Sequence, residues 1–342
     1  MGKVNLKALS PEEMKVFLKG LGLPSYRAGQ IIRWIYEKGA VSIEEMTDLS
    51  KDLRARLSGL SYISALVLMD EKTSRDGTRK FLFRLEDGEA IESVLIYDED
   101  RLTLCISSQA GCRMGCRFCL TGKGGLRRNL RAFEMADQVM AASRLAGDRI
   151  TNIVFMGMGE PLTNLDEVAE AIRRLTGLMH FPKGRITLST AGLVPEILKL
   201  PSLAPLVNLA ISLNATTDTV RDYLMPVNRK YPISALLNAL RRFPLPKRGR
   251  ITFEYVMIDG LNDTAADAKR LITLLKGIPS KVNLIPFNEF EGSGLRRPSD
   301  NKVLEFQGIL IRGGMTAFIR KSKGSDIMAA CGQLRGAVAD PL

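Results

Sequence analysis

The sequence predicts an α/β fold, a partial (βα)6-type barrel with a small N-terminal helical domain and a β-hairpin connector, and three observations carry that prediction. From about residue 100 onward, short runs rich in Val, Ile, Thr and Phe alternate with segments of helical periodicity, the pattern of a parallel sheet or barrel. Before about residue 70 that alternation is missing and helix start signals take its place. Between the two, Asp87-Gly88 lies inside a stretch alternating with period two, a strong hairpin signal. The expected division is 1–75 for the helical accessory domain, 76–100 for the connector and 101–342 for the barrel.

In the first part, Ser10-Pro11-Glu12-Glu13 is a capping box with proline at the first helical position. A second helix is expected after Ser25, through Ile31, Ile35 and Tyr36, ending at Gly39; Ser42 and Ser50 open further helical turns. Trp34 is assigned to the core. In the connector, Arg79–Leu85 should pair with Glu89–Tyr97, and Ala90, Glu92, Val94 and Ile96 should share a face. A carboxylate among apolar neighbours has the tuned basicity of a proton acceptor, but the pattern fits an ordinary edge position slightly better. In the barrel, strands are expected at Leu102–Ser107, Thr151–Met156, Arg185–Thr190, Val207–Leu213, Ile251–Ile258, Lys281–Pro286 and Thr316–Arg320. Helices are expected at 133–146, 165–176, 194–200, 233–243, 264–277 and 301–312. That is too few units to close an eight-stranded barrel.

At 45% hydrophobic and 25% charged residues, the 342-residue chain can bury a substantial core. Its 49 Lys and Arg against 37 acids give a net charge of +12, enough to expect a polyanionic partner, with a merely soluble basic protein as the alternative. No apolar run is long enough to span a bilayer and no signal-peptide core opens the chain, so a cytoplasmic protein with reduced cysteines is expected. A single histidine, His180, argues against histidine-rich metal sites and histidine-based triads.

Three of the five cysteines, Cys112, Cys116 and Cys119, fall within eight residues, beside Gly111 and Gly115. Three thiolates so spaced can converge on one metal centre: zinc, which wants a fourth ligand, or a cubane iron–sulfur cluster with one iron left open. The ends of the expected strands carry small or polar residues: Gly157–Glu160, Ser189–Gly192, Ser212-Leu213-Asn214 and Asn288. Ligands bind at such ends in parallel α/β folds, so these turns should frame a polar site. Cys105 shares the polar face of its strand with Thr103 and Ser107, and Cys331 lies among small residues beyond the last strand. A buried, inert cysteine is the alternative for either.

The CxxxCxxC spacing, with Phe118 before its last cysteine, resembles the radical S-adenosylmethionine (SAM) superfamily, as does Met156-Gly157-Met158-Gly159-Glu160-Pro161. Cys105–Gln109, Arg128-Asn129-Leu130, Leu188–Thr190, Met225–Asn228, Asn283–Asn288 and Ala330–Leu334 resemble, more narrowly, the members that methylate carbon 2 of adenine in 23S ribosomal RNA and tRNA. The resemblance covers nearly the whole chain, helical module included. It implies a [4Fe-4S] cluster on Cys112, Cys116 and Cys119, and two SAM molecules per turnover. It also implies that Gly159, Glu160, Ser189, Ser212, Leu213, Asn214 and Asn288 bind SAM. Many relatives have histidine where Asn214 stands, which leaves that side chain's contact open. Cys331 would carry the methyl group, Cys105 would resolve the adduct by a disulfide, and Glu92 would accept the ring proton. Implied partners are 23S rRNA, tRNA and an electron donor such as flavodoxin or ferredoxin, with the enzyme a monomer. Methylation at carbon 8, and a zinc-containing RNA-binding module without catalysis, are the competing readings.

Overall fold

The structure, a computed structural model, describes residues 2–336, so the expected barrel end at 342 lies outside it. Its frame is one ten-stranded sheet: β1 (Val67–Thr73), β2 (Arg79–Arg84), β3 (Ala90–Asp98), β4 (Arg101–Cys105), β5 (Asn152–Phe155), β6 (Ile186–Thr190), β7 (Asn208–Ser212), β8 (Ile251–Met257), β9 (Ser280–Pro286) and β10 (Ala317–Ile319). Neighbours in space are neighbours in sequence throughout. Strands β1 to β4 pair antiparallel and β4 to β10 parallel. Six helices connect the parallel strands, at Ala132–Ala146, Leu165–Gly177, Val194–Leu203, Ile233–Arg241, Ala265–Leu275 and Asp300–Arg312. The sheet curls as a partial barrel with β1 and β10 as its edges.

The two strands of the expected hairpin form, yet they are continuous with the barrel: β3 pairs with β4, opposing Val94 to Cys105. Glu92 therefore sits on an interior strand, which removes the edge-position reading. Residues 67–73, counted with the helical module from sequence, add a third antiparallel strand whose residues are all exposed. With neither face buried, nothing in its side-chain pattern marks it as a strand; backbone pairing with β2 alone recruits it. Further elements escaped the sequence reading, among them a short helix at Asp218–Leu224 and a ribbon pairing Gln109–Gly111 with Leu126–Asn129.

In the N-terminal module, helices run over Pro11–Gly20, Tyr26–Tyr36 and Lys51–Leu60. The Ser10 box closes reciprocally: Ser10 Oγ accepts from the Glu13 amide at 3.2 Å and Glu13 returns an acceptor to the Ser10 amide at 2.8 Å. Trp34 is half-buried and packs against the edge of the module's core, while its indole N–H reaches Asp48 at 2.6 Å and Lys38 covers its ring. Helix Ala132–Ala146 lends Ala136 and Met140 to the module's core. At that junction a buried Lys7 pairs with a buried Asp137 at 2.6 Å. Arg174 Nη1 donates to the Lys7 carbonyl at 2.5 Å and to the Tyr36 hydroxyl at 2.9 Å.

Candidate active site at the barrel rim

Side chains alternate along each parallel strand, one set against the helices and the other toward the barrel interior. In β6, Ile186, Leu188 and Thr190 are buried while Thr187 and Ser189 are half-buried. Register carries the inner face from strand to strand: Val94, Cys105, Val154 and Thr187 lie side by side. Two residues higher, Ser189 opposes Ala210; two higher again, Ser212, Glu254 and Asn283 align. Glu92, two residues before Val94, belongs to the same face. The interior thus gathers Glu92, Cys105, Ser189, Ser212 and Glu254 from five strands.

The cysteine loop follows β4 and is closed at its base by the ribbon. The Cys112 amide donates to the Gly125 carbonyl at 2.8 Å, and a methyl group on Gly111, whose φ is +78°, would lie 2.0 Å from that oxygen. Burial pushes the Cys112 thiol up to about 11 and the Cys116 thiol well above its ordinary value. Cys119 raises both further, so the three thiols face a common space. Among the described residues, no three His, Cys, Asp or Glu are gathered as closely as one metal ion requires. A cubane tolerates wider spacing, because each thiolate binds a different iron. Its positive irons also supply the compensation without which buried thiols stay protonated. These donors fit a [4Fe-4S] cluster better than zinc.

Glu160 is buried and ties two turns together: Oε2 accepts from the Ala191 amide at 2.7 Å and Oε1 from the Leu162 amide at 3.1 Å. Burial pushes its carboxyl up, against the pull of the Ala191 N–H. Arg221, fully buried, binds the carbonyls of Leu213 at 3.0 Å, Ala191 at 2.7 Å and Ser212 at 3.2 Å, locking the ends of β6 and β7 beside Cys116. Asn214, at φ +59°, spends its side chain on the Val256 amide at 2.8 Å and the Met225 sulfur at 3.2 Å. Asn288 donates to the Cys331 carbonyl at 3.2 Å and accepts from Ser322 at 2.5 Å. Of the expected SAM contacts, Glu160, Leu213, Asn214 and Asn288 therefore have polar groups committed to protein partners. Gly159, Ser189 and Ser212 remain half-exposed at the rim.

The segment after β10 crosses the mouth of the barrel with Cys331 at its centre. The Gly332 carbonyl accepts from the Leu120 amide at 2.6 Å and the Leu334 carbonyl from Thr121 Oγ1 at 2.7 Å, which seats the segment on the cysteine loop. Gly332 has φ +85°, and a methyl group there would stand 2.7 Å from the Phe118 carbonyl. Cys331 is exposed to solvent, yet the protein packed around it pushes its thiol up to about 11. Glu254, Arg320 and Cys119 are among its ionisable neighbours. The buried Cys105 thiol is raised first by burial and then by Cys331. The structure thus brings the two outlying cysteines to one another, both as free thiols.

Residues 4–63 match the ribosomal RNA large subunit methyltransferase N-terminal domain, and residues 106–272 the radical SAM superfamily. The chain is 55% identical over 338 residues to the dual-specificity RNA methyltransferase RlmN of Geobacter sulfurreducens, covering 97% of this chain and 92% of that one. The RlmN of Pelobacter propionicus is 54% identical, with 98% and 96% covered. A crystal structure of a radical SAM methyltransferase from Sphaerobacter thermophilus superposes with a TM-score of 0.93 at 46% identity, over 98% of this chain and all of that one. The chain belongs to the RlmN family of radical SAM methyltransferases.

The basic runs sort by the two ends of the barrel. Arg113, Arg117, Lys123 and Arg127 are exposed on the cysteine loop, Arg296 and Arg297 follow β9, and Arg320 and Lys321 follow β10; all belong to the site's end of the barrel. A cavity of about 260 Å3, lined by Cys116, Arg117, Lys123 and Gly292 among others, opens there. Arg128 is withdrawn into ion pairs with Glu134 and Asp87. Arg241, Arg242, Lys247, Arg248 and Arg250 precede β8 and so belong to the opposite end. Sequence reasoning missed Glu254 and Lys80. A lone carboxylate in the apolar run Ile251–Met257 was the available signal for Glu254; Lys80 gave none.

Proposed function

We propose that this radical SAM RNA methyltransferase methylates carbon 2 of an adenosine in 23S rRNA and of an adenosine next to the tRNA anticodon, with Cys331 as methyl carrier. The observation that carries the reading is the meeting of Cys331, Cys105 and the cysteine loop at one rim, within a chain that resembles dual-specificity RNA methyltransferases end to end. Carbon 2 of adenine has no lone pair to attack an electrophilic methyl group, so polar transfer from SAM to it lacks a nucleophile. Cys112, Cys116 and Cys119 would hold the [4Fe-4S] cluster, which when bound supplies the electron for reductive SAM cleavage.

The chain's own residues then have separate tasks. The Cys331 sulfur takes a methyl group from one SAM by displacement; the deoxyadenosyl radical from cleavage of the second SAM takes one hydrogen atom from that S-methyl group, the methylene carbon bonds to carbon 2 of the base, and the adduct's unpaired electron passes to the electron carrier. Glu92 accepts the proton that leaves carbon 2. Cys105 attacks the Cys331 sulfur: an S–S bond forms, the S–C bond breaks, and the released electron pair ends, with a proton, in the new methyl group. The exposed arginines and lysines of the rim bind phosphates, and an unstacked adenosine reaches Cys331. An external electron carrier such as flavodoxin or ferredoxin, a monomeric state and a cytoplasmic location complete the proposal. No helix among the described residues is long and apolar enough to cross a membrane.

The test is mass spectrometry of nucleosides from rRNA and tRNA after incubation with cluster-loaded enzyme, SAM and a reductant. 2-Methyladenosine is expected in both RNAs. Finding 8-methyladenosine instead would overturn the positional assignment, and modification of only one RNA would remove the dual specificity.

A further inference from the structure

One ion pair of the antiparallel strands fastens the Cys331 segment on both sides. Lys80 of β2 places Nζ 2.9 Å from Glu92 Oε1 and 3.1 Å from the Met328 carbonyl. Lys80 opposes Val94 in register, so it is the diagonal neighbour of Glu92 on the same face. The other oxygen of Glu92 accepts from the backbone amides of Arg335 at 2.6 Å and Gly336 at 3.2 Å. Met328 and Arg335 flank Cys331 on its two sides, so the pair grips both arms of the loop. Further upstream, the turn before β2 holds the same segment: Asp76 accepts from the Gly324 amide at 3.0 Å and Asp326 from Ser74 Oγ at 2.5 Å. The fit is tight, since a methyl group on Gly336 would stand 2.4 Å from Met158 Cε.

These contacts occupy Glu92. Oε1 faces Lys80 and Oε2 takes two N–H groups, whereas a base must point a lone pair at the atom it deprotonates. Holding the segment and accepting a substrate proton with Oε2 exclude one another. We infer that Lys80 and Glu92 form a clasp on the Cys331 segment, that this structure is its closed state, and that the Arg335–Gly336 arm has to let go before Oε2 of Glu92 can serve as proton acceptor. Lys80 is then a positioning residue, keeping the carboxylate and the Met328 arm in place while the other arm opens. The opening requirement rests on Glu92 being the base; the clasp stands on the contacts alone.

Hydrogen exchange of the cluster-loaded enzyme, read by mass spectrometry on peptides covering 324–336, tests both parts. Glu92→Gln should speed exchange at the Arg335 and Gly336 amides roughly tenfold or more, because their charged acceptor is removed. Lys80→Met should loosen the same peptides and Lys80→Arg should restore them. Exchange in helix Pro11–Gly20 should stay unchanged in each, which separates unclasping from unfolding. Should Lys80→Met fail to fold, Glu92→Gln against Lys80→Arg still decides. Unaltered protection of the two amides in Glu92→Gln overturns the clasp. Substrate RNA added to the wild type should speed their exchange; RNA that is methylated while they stay protected overturns the opening step. A Glu92→Gln enzyme that unclasps yet forms product at the wild-type rate removes Glu92 as base and leaves the clasp standing.

Discussion

The cysteine loop and the Cys331 segment meet at one rim but are specified in opposite ways. The loop holds its three thiols within eight residues and is shaped mainly by its own glycines and by a ribbon closing it at its base. The Cys331 segment has little regular structure; it is placed by Asp76, Lys80, Glu92, Leu120, Thr121 and Asn288, nearly all of them far away in sequence. A locally encoded site keeps its parts together whatever the rest of the fold does. One assembled from distant partners can be opened and closed.

The largest effect should come from the local site. Replacing any one of Cys112, Cys116 or Cys119 by Ala should abolish cluster iron and SAM cleavage, because three ligands leave no redundancy. Iron and sulfide analysis with deoxyadenosine assay checks this, and full iron content in a single variant would sink the ligand assignment.

The assembled site should fail at a definite step instead. Cys331→Ala should leave SAM cleavage possible but give no RNA adduct, whereas Cys105→Ala should stall with enzyme covalently bound to RNA, since no thiol is placed to displace the thioether sulfur. Denaturing electrophoresis with labelled RNA should show a nuclease-sensitive shifted band for Cys105→Ala alone. Multiple turnover by that variant without the band would make Cys105 an ordinary strand residue.

A third long-range contact sharpens the contrast. Burial pushes Asp137 up to about 6 in spite of Lys7, so desolvation outweighs the attraction and the pair sets how the N-terminal module docks rather than adding net stability. Asp137→Ala should cost about 3–5 kcal/mol by leaving Lys7 buried and unpaired, while Lys7→Met with Asp137→Leu should recover most of it. Denaturant unfolding measures both, and a double variant no better than the single one would contradict this account.

The smallest effects belong to the basic surface. Removing Arg113 or Arg127 at the rim should reduce the slope of log affinity against log salt by roughly 0.7–0.9 for each phosphate that is no longer neutralised. Arg241→Ala or Arg248→Ala, at the other end of the barrel, should leave the slope unchanged; equal reductions from both ends would mean that RNA does not bind the rim.

The sequence by itself determined whatever depends on short spacing or on periodicity. The alternation of Ile186, Leu188 and Thr190 against Thr187 and Ser189 made β6 legible, Asp87-Gly88 made the hairpin legible, and the cysteine spacing marked the metal loop. Resemblance to a known family, rather than the pattern, gave Cys331, Cys105 and Glu92 their roles. Tertiary structure decided what local pattern does not encode. The exposed β1 has no hydrophobic alternation to read, because an edge strand is held by backbone pairing. Lys80 looks like any solvated lysine until β2 and β3 pair. Asn214 and Asn288 looked like free rim groups, and only the fold shows their amides spent on Val256 and on Cys331. The basic run at 241–250 separates from those on the rim only once strand direction is known. In each case the deciding quantity is a partner distant along the chain, whose position is set by how seven parallel strands and three antiparallel ones share a single sheet.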